Sequence, residues 1–145
     1  MRYLNKQFLI DLNQDIIKRA DKRYGGVQYS QGLEIVIEQP QQVLFGKELY
    51  PNIWIKAAFM IQKITKKHIF VDGNKRTAFF SGIIFLYANG IRLSYTDDEA
   101  VVLILDVTTN PDTDEVMVAL AEWLKAHQVP NEALILKRYS LQAGG

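Results

Sequence analysis

Between Asn74 and Asn89 the chain has almost no polar side to show. Ala78, Phe79, Phe80, Ile83, Ile84, Phe85 and Leu86 fall on nearly every face of a helical period, and a helix apolar all round has to be enclosed by other elements. Asn89-Gly90 supplies its stop. The rest of the chain must therefore wrap a central helix.

The flanking patterns are helical too. From Asn5 to Arg23, Phe8, Leu9, Leu12, Ile16 and Ile17 recur at three- and four-residue spacing, which predicts an amphipathic helix ended by Tyr24-Gly25-Gly26. A short helix is expected around Leu33 to Ile37. Gln39 to Leu49, punctuated by Pro40 and Gly46, predicts an ordered loop or a short β-hairpin near residues 40–50. Pro51 suits a first helical turn, and the stripe Ile53, Trp54, Ala57, Ala58, Ile61 and Ile64 runs on to Lys66-Lys67-His68. Thr96-Asp97-Asp98-Glu99 has the form of a capping box and opens a helix through Val101 to Leu105. That β-branched run would also suit a buried strand, but its capped start favours helix. Asp112-Thr113-Asp114-Glu115 repeats the logic for a helix through Trp123 and Leu124, with Asn110-Pro111 as the break. Beyond Pro130 one amphipathic turn, Leu134 to Leu136, precedes a frayed Gly144-Gly145 end. The expectation is an all-α fold: one compact domain over 1–128 and a partly ordered tail over 129–145.

A chain of 145 residues that is 48% hydrophobic builds one core and has no room for a second domain. Seventeen Lys and Arg oppose sixteen Asp and Glu, a net charge of +1, so no global field draws the protein to nucleic acid or to an anionic membrane. With no cysteine, disulfides and thiolate metal sites are excluded, which fits a reducing cytoplasm. No signal-peptide stretch and no membrane-spanning run are read. The expectation is a soluble, cytoplasmic protein.

Chemistry concentrates at His68-Ile69-Phe70-Val71-Asp72-Gly73-Asn74-Lys75-Arg76, where one helix ends in histidine and the next begins. A helix start offers unpaired N–H groups and the positive end of the macrodipole, and Gly73 permits both a left-handed turn and close approach of a ligand. Lys75 and Arg76 oppose the dipole at that end, a penalty that a bound polyphosphate would reverse. Asp72 offers one hard oxygen, as Mg²⁺ accepts when it also takes phosphate oxygens and water. His68 can take a hydroxyl proton as general base. Phe70 is expected to pack inward and fix the loop.

The run His-x-Phe-x-Asp-Gly-Asn-Lys-Arg-Thr, residues 68–77, resembles the signature of the Fic/Doc superfamily, on the side of the death-on-curing (Doc) toxins. Phe45 to Pro51 and Phe85 to Gly90 look like that group's flanking blocks. Lys75 stands where adenylylating Fic enzymes usually have Gly, and Phe79 where they usually have a second Arg; both changes are similar to Doc. The resemblance implies a kinase-like toxin of a toxin-antitoxin system that binds ATP with Mg²⁺ and moves the γ-phosphate to a threonine of elongation factor Tu. It implies His68 as base, Asp72 as metal ligand, and Gly73, Asn74, Lys75 and Arg76 as the phosphate clamp. It also implies a target-docking flap at Leu44, Phe45 and Gly46, and a small antitoxin whose C-terminal segment folds on binding. No internal Ser/Thr-x-x-x-Glu-Gly/Asn inhibitory helix is present; Ser30 to Glu34 has the spacing but is followed by Ile35.

Blander readings stand beside these. Asp72 could serve as a helix cap, Asn74 as turn chemistry, and Lys75 with Arg76 as a solvated face. Leu44, Phe45, Tyr50 and Trp54 suit a core better than a contact surface. His127 suits a favourable charge at a helix C-terminus. Two rival functions remain: adenylyl transfer on the same fold, and a non-catalytic module using Lys63, Lys66, Lys67, Lys75 and Arg76 as a basic patch for nucleic acid. Near-neutral charge and the lack of interleaved aromatics count against the latter.

Overall fold

A computed structural model describes residues 1–22 and 24–130. In chain order the elements are α1 (Lys6–Arg19), α2 (Ser30–Glu38), a 3₁₀ turn (Gln39–Gln41), β1 (Val43–Leu44), β2 (Lys47–Glu48), α3 (Ile53–Lys66), α4 (Asn74–Ala88), α5 (Asp97–Thr109) and α6 (Asp114–Ala126). The expected helices are all present, and the expected hairpin is β1 paired antiparallel with β2. The result is a compact, mostly helical domain. The tail turn at Leu134 to Leu136 lies outside the described residues.

The caps explain the starts. Asn5, Asn52 and Thr113 accept from Phe8, Ile55 and Val116 N–H groups, and Thr96 with Glu99 forms a complete capping box. The α1 helix ends sooner than its apolar pattern suggested: Ala20 is its C-cap and Asp21 is left-handed, with φ 54°. Beyond that turn the chain reaches the loop after α3, where the Gly26 carbonyl accepts from Val71 N–H at 2.9 Å.

The central position belongs to α3 more than to α4. Every residue from Lys56 to Gln62 is buried, whereas Phe80 and Tyr87 of α4 remain 41% and 66% exposed. Close contact decides this: a Cβ at Gly82 would overlap the Ile61 side chain, so the missing side chain lets α4 lie tightly on α3. Phe85, Leu86, Ile61 and Ile64 fill that seam, and Leu120 and Leu124 of α6 close the core.

The aromatic patch expected in the core divides. Tyr50 and Trp54 pack against the core, but Leu44 is 47% exposed and Phe45 fully exposed. Phe45 and Gly46 form a two-residue turn with φ 51° and 75°, and this geometry throws the Phe45 ring outward. The hairpin is anchored by Lys56, fully buried on α3, whose ammonium donates to the Pro40 carbonyl and pairs with Glu48 at 3.4 Å. His127 caps α6, stacks on Trp123 at 3.8 Å and meets Glu99 at 3.0 Å. Among the described residues no helix is long and apolar enough to cross a membrane.

Candidate active site

The α3 helix delivers His68 in a conformation that few side chains adopt. With φ 49°, its backbone is left-handed, at a cost of roughly 1–2 kcal/mol for a residue bearing a Cβ. Long-range hydrogen bonds hold it there. The Gln28 amide donates to the His68 carbonyl at 3.0 Å, the N–H groups of Gln28 and Tyr29 donate to the Ile69 carbonyl, and Val71 N–H donates to Gly26. Ile69 and Phe70 are fully buried, so the loop is pinned from below while the His68 side faces solvent.

The turn into α4 is held equally firmly. Asn74 brackets Phe70: its Oδ1 accepts from Phe70 N–H at 2.9 Å, and its Nδ2 donates to the Phe70 carbonyl at 2.8 Å. The Asn74 side chain is thereby spent on the loop, and what it can offer a ligand is its main-chain N–H. Gly73 is left-handed at φ 76°, and a Cβ there would press on Ile17 at 3.1 Å and Asn13 at 3.3 Å.

Asn13 was not singled out in the sequence, yet it ties α1 to this turn. It is fully buried and donates to the Asp72 carbonyl at 2.9 Å and to Thr77 Oγ1 at 3.1 Å, while its own Oδ1 has no partner. The available signal was its place on the apolar stripe, between Leu9 and Ile16–Ile17, where a polar residue has to be satisfied.

His68, Asp72, Gly73, Asn74, Lys75 and Arg76 all line one cavity of about 410 Å³, closed by Ile16 and Ile17 of α1, by its C-cap Ala20, and by Thr65 and Thr108. Phe70 lies beneath it as buried support, whereas Leu44, Phe45 and Gly46 stand apart on the hairpin and do not line it. Asp72 is not a side-chain cap of α4: its Oδ1 accepts from Gly73 N–H at 2.7 Å, and Lys22 approaches its Oδ2 at 3.6 Å.

The electrostatics are one-sided. The α4 N-terminus has neither a side-chain cap nor an acidic residue in its first turn, unlike α5 with Asp97, Asp98 and Glu99 or α6 with Asp114 and Glu115. Among the described residues Lys75 and Arg76 have no ion-pair partner, while Lys63 and Lys67 both hold Asp112, at 2.6 and 3.3 Å, and Lys66 donates to the Thr108 carbonyl. Burial raises the Asp112 pKa, but those two lysines outweigh it and leave the carboxyl below its ordinary value. Among the described residues Lys63 and Lys67 thus share one carboxylate, whereas Lys75 and Arg76 bring unpaired positive charge to the helix start, where an anion is favoured.

The donor set also limits what metal could sit here. Among the described residues no three His, Asp or Glu side chains converge. Asp72 alone fits Mg²⁺ that shares its coordination with phosphate oxygens and water, not a metal caged by protein.

Comparison with known proteins places the chain in a family. The model of the Fic/DOC family matches residues 3–86, more than half of the chain. A curated relative from Mycolicibacterium smegmatis, "Toxin Doc", is 33% identical over 121 residues, covering 79% of this chain and 93% of its own. A second, "Protein kinase doc" of Escherichia phage P1, is 29% identical over 122 residues, covering 82% and 89%. The left-handed histidine, the bracketed turn and the basic helix start belong to the matched segment, and the chain is a member of the Fic/DOC family.

Proposed function

We propose that the protein is a Doc-type toxin that transfers the γ-phosphate of ATP to a Ser or Thr hydroxyl of a translation factor, by family resemblance elongation factor Tu. The observation that carries this reading is the single cavity shared by His68, Asp72 and the uncapped, doubly basic start of α4.

In this mechanism the polyphosphate rests on the main-chain N–H groups at the start of α4, with Lys75 and Arg76 neutralising its oxygens. Asn74 holds the loop through Phe70 and contributes its N–H. Asp72 would hold the Mg²⁺ that accompanies the nucleotide, and the ion would supply positive charge to offset that gathered on the transferred group. His68 takes the proton of the target hydroxyl; the hydroxyl oxygen forms a bond to the γ-phosphorus, and the bond to the ADP oxygen breaks. Phosphoryl transfer needs mainly alignment and charge stabilisation, which a pinned loop and a helix start supply. The exposed Phe45 turn serves as the flap that docks the target.

Adenylyl transfer is the second reading. Against it stands Phe79, which is 5% exposed and packed edge-on to Tyr95 at 5.2 Å where a second phosphate-binding arginine would be needed. We further propose a cytoplasmic setting and a partner antitoxin whose C-terminal segment orders on binding. Expression of the wild type should arrest growth, His68→Ala should not, and co-expression of the neighbouring small reading frame should relieve the arrest. Equal toxicity of a folded His68→Ala protein would mean that the chain acts by binding alone.

A further inference from the structure

Three lysine and arginine side chains line the cavity at the start of α4, and Lys22 is the one that the loop motif does not contain. The end of α1 puts it there. Asp21 turns left-handed at φ 54°, and the Lys22 N–H donates back to the Ile17 carbonyl at 3.0 Å. Ile17 in turn adjoins the motif turn, since a Cβ at Gly73 would lie 3.1 Å from its side chain. Lys22 therefore springs from the α1 wall of the cavity, on a flexible four-carbon stem whose ammonium has three rotatable donors.

Its partner is Asp72, and the oxygen it approaches matters. Asp72 Oδ1 is spent on the turn, accepting from Gly73 N–H at 2.7 Å. Oδ2 is the oxygen left for a cation, and the Lys22 ammonium stands 3.6 Å from it. That separation exceeds a hydrogen bond, and the two side chains are 56% and 47% exposed, so the pair is weak and another cation displaces it readily. Displacement leaves an ammonium free inside the cavity. We propose that Lys22 is a further phosphate-binding residue: it screens Asp72 Oδ2 until Mg²⁺ arrives with a polyphosphate, yields that oxygen, and turns its ammonium onto the phosphate oxygens. Lys75 and Arg76 supply charge from the α4 side, and Lys22 supplies it from the α1 side. This assignment rests on the phosphate reading of the cavity and deepens it, because it makes metal and phosphate binding interdependent. A metal ion alone must displace Lys22 without return, whereas with phosphate present the displaced ammonium gains a new partner.

Two ligands test this on the full chain: Mn²⁺ alone, followed by electron paramagnetic resonance, and MgATP, titrated calorimetrically. Lys22→Met keeps the apolar stem and removes the charge. It should bind Mn²⁺ about threefold tighter and MgATP about threefold weaker, within the roughly fivefold that an exposed ion pair contributes. Lys18→Met, which removes an α1 cation outside the cavity, should leave both affinities unchanged because solvent and salt screen it. Shifts of the same sign in Lys22→Met, an unaltered affinity for either ligand, or equal shifts in Lys18→Met would overturn the role of Lys22 while the phosphate site stands. If wild type binds no MgATP, both readings fall together.

Discussion

Replacing Asn74 with alanine tests how the loop is held. The substitution removes the acceptor of the Phe70 N–H and the donor to the Phe70 carbonyl, two bonds of 2.9 and 2.8 Å around a residue with no exposure. A lost hydrogen bond costs about 1 kcal/mol net, and a buried N–H left without an acceptor costs about 1–3 kcal/mol, so the expected loss is about 2–4 kcal/mol. With an unfolding entropy of roughly 0.3 kcal/mol/K for a chain of this length, the melting temperature should fall by about 7–13 °C. Thermal unfolding gives the magnitude, and hydrogen exchange gives the place: the Phe70 amide should lose protection before amides in the middle of α3. A variant that melts within about 1 °C of wild type, with Phe70 still protected, would refute the view that Asn74 builds the loop. It would return that side chain to direct ligand binding.

Further predictions concern the same site and its surroundings. Both His68→Ala and His68→Gly should abolish transfer, but the glycine variant should melt about 2–3 °C above the alanine one, because alanine alone bears the left-handed penalty; the reverse order would place the strain elsewhere. Phe45→Ser should leave stability and ATP affinity unchanged while raising KM for the protein target about tenfold; an unaltered KM would remove the turn from target docking. Asp112 is held below its ordinary pKa of 3.8 by Lys63 and Lys67 against the effect of burial. Its contribution is therefore fully present above that value and drains away as pH falls through the lower folded value. Asp112→Asn should accordingly lower stability at neutral pH and flatten the profile at acid pH, and an unchanged acid limb would contradict this assignment.

Features written locally were legible in the sequence. The Thr96–Glu99 capping box, the stripe from Ile53 to Ile64 and the turn around Asp72-Gly73 each state their geometry within a few residues, and the structure follows them. What the sequence hid depends on distant partners. Asn13 looked like one polar residue on an apolar stripe, and only the approach of α1 to the Asp72 carbonyl explains it. Lys56 sits within an apolar helix, and its partners Pro40 and Glu48 come from the hairpin base. Gln28 supports the His68 carbonyl from forty residues away. The relative enclosure of α3 and α4 was misjudged for a related reason: the composition of α4 is apolar all round, but Gly82 decides which face is pressed inward. Leu44 and Phe45 likewise read as core by composition, and the turn geometry turned them out.

The central claim is that the α4 start grips a triphosphate so that its terminal phosphorus meets a hydroxyl whose proton goes to His68. Incubating the protein with a bacterial lysate and either γ-labelled or α-labelled ATP puts this to a direct test. The account predicts one protein band labelled from the γ position only, and no band with His68→Ala. Label carried from the α position, or γ-label undiminished in the His68→Ala protein, would contradict it.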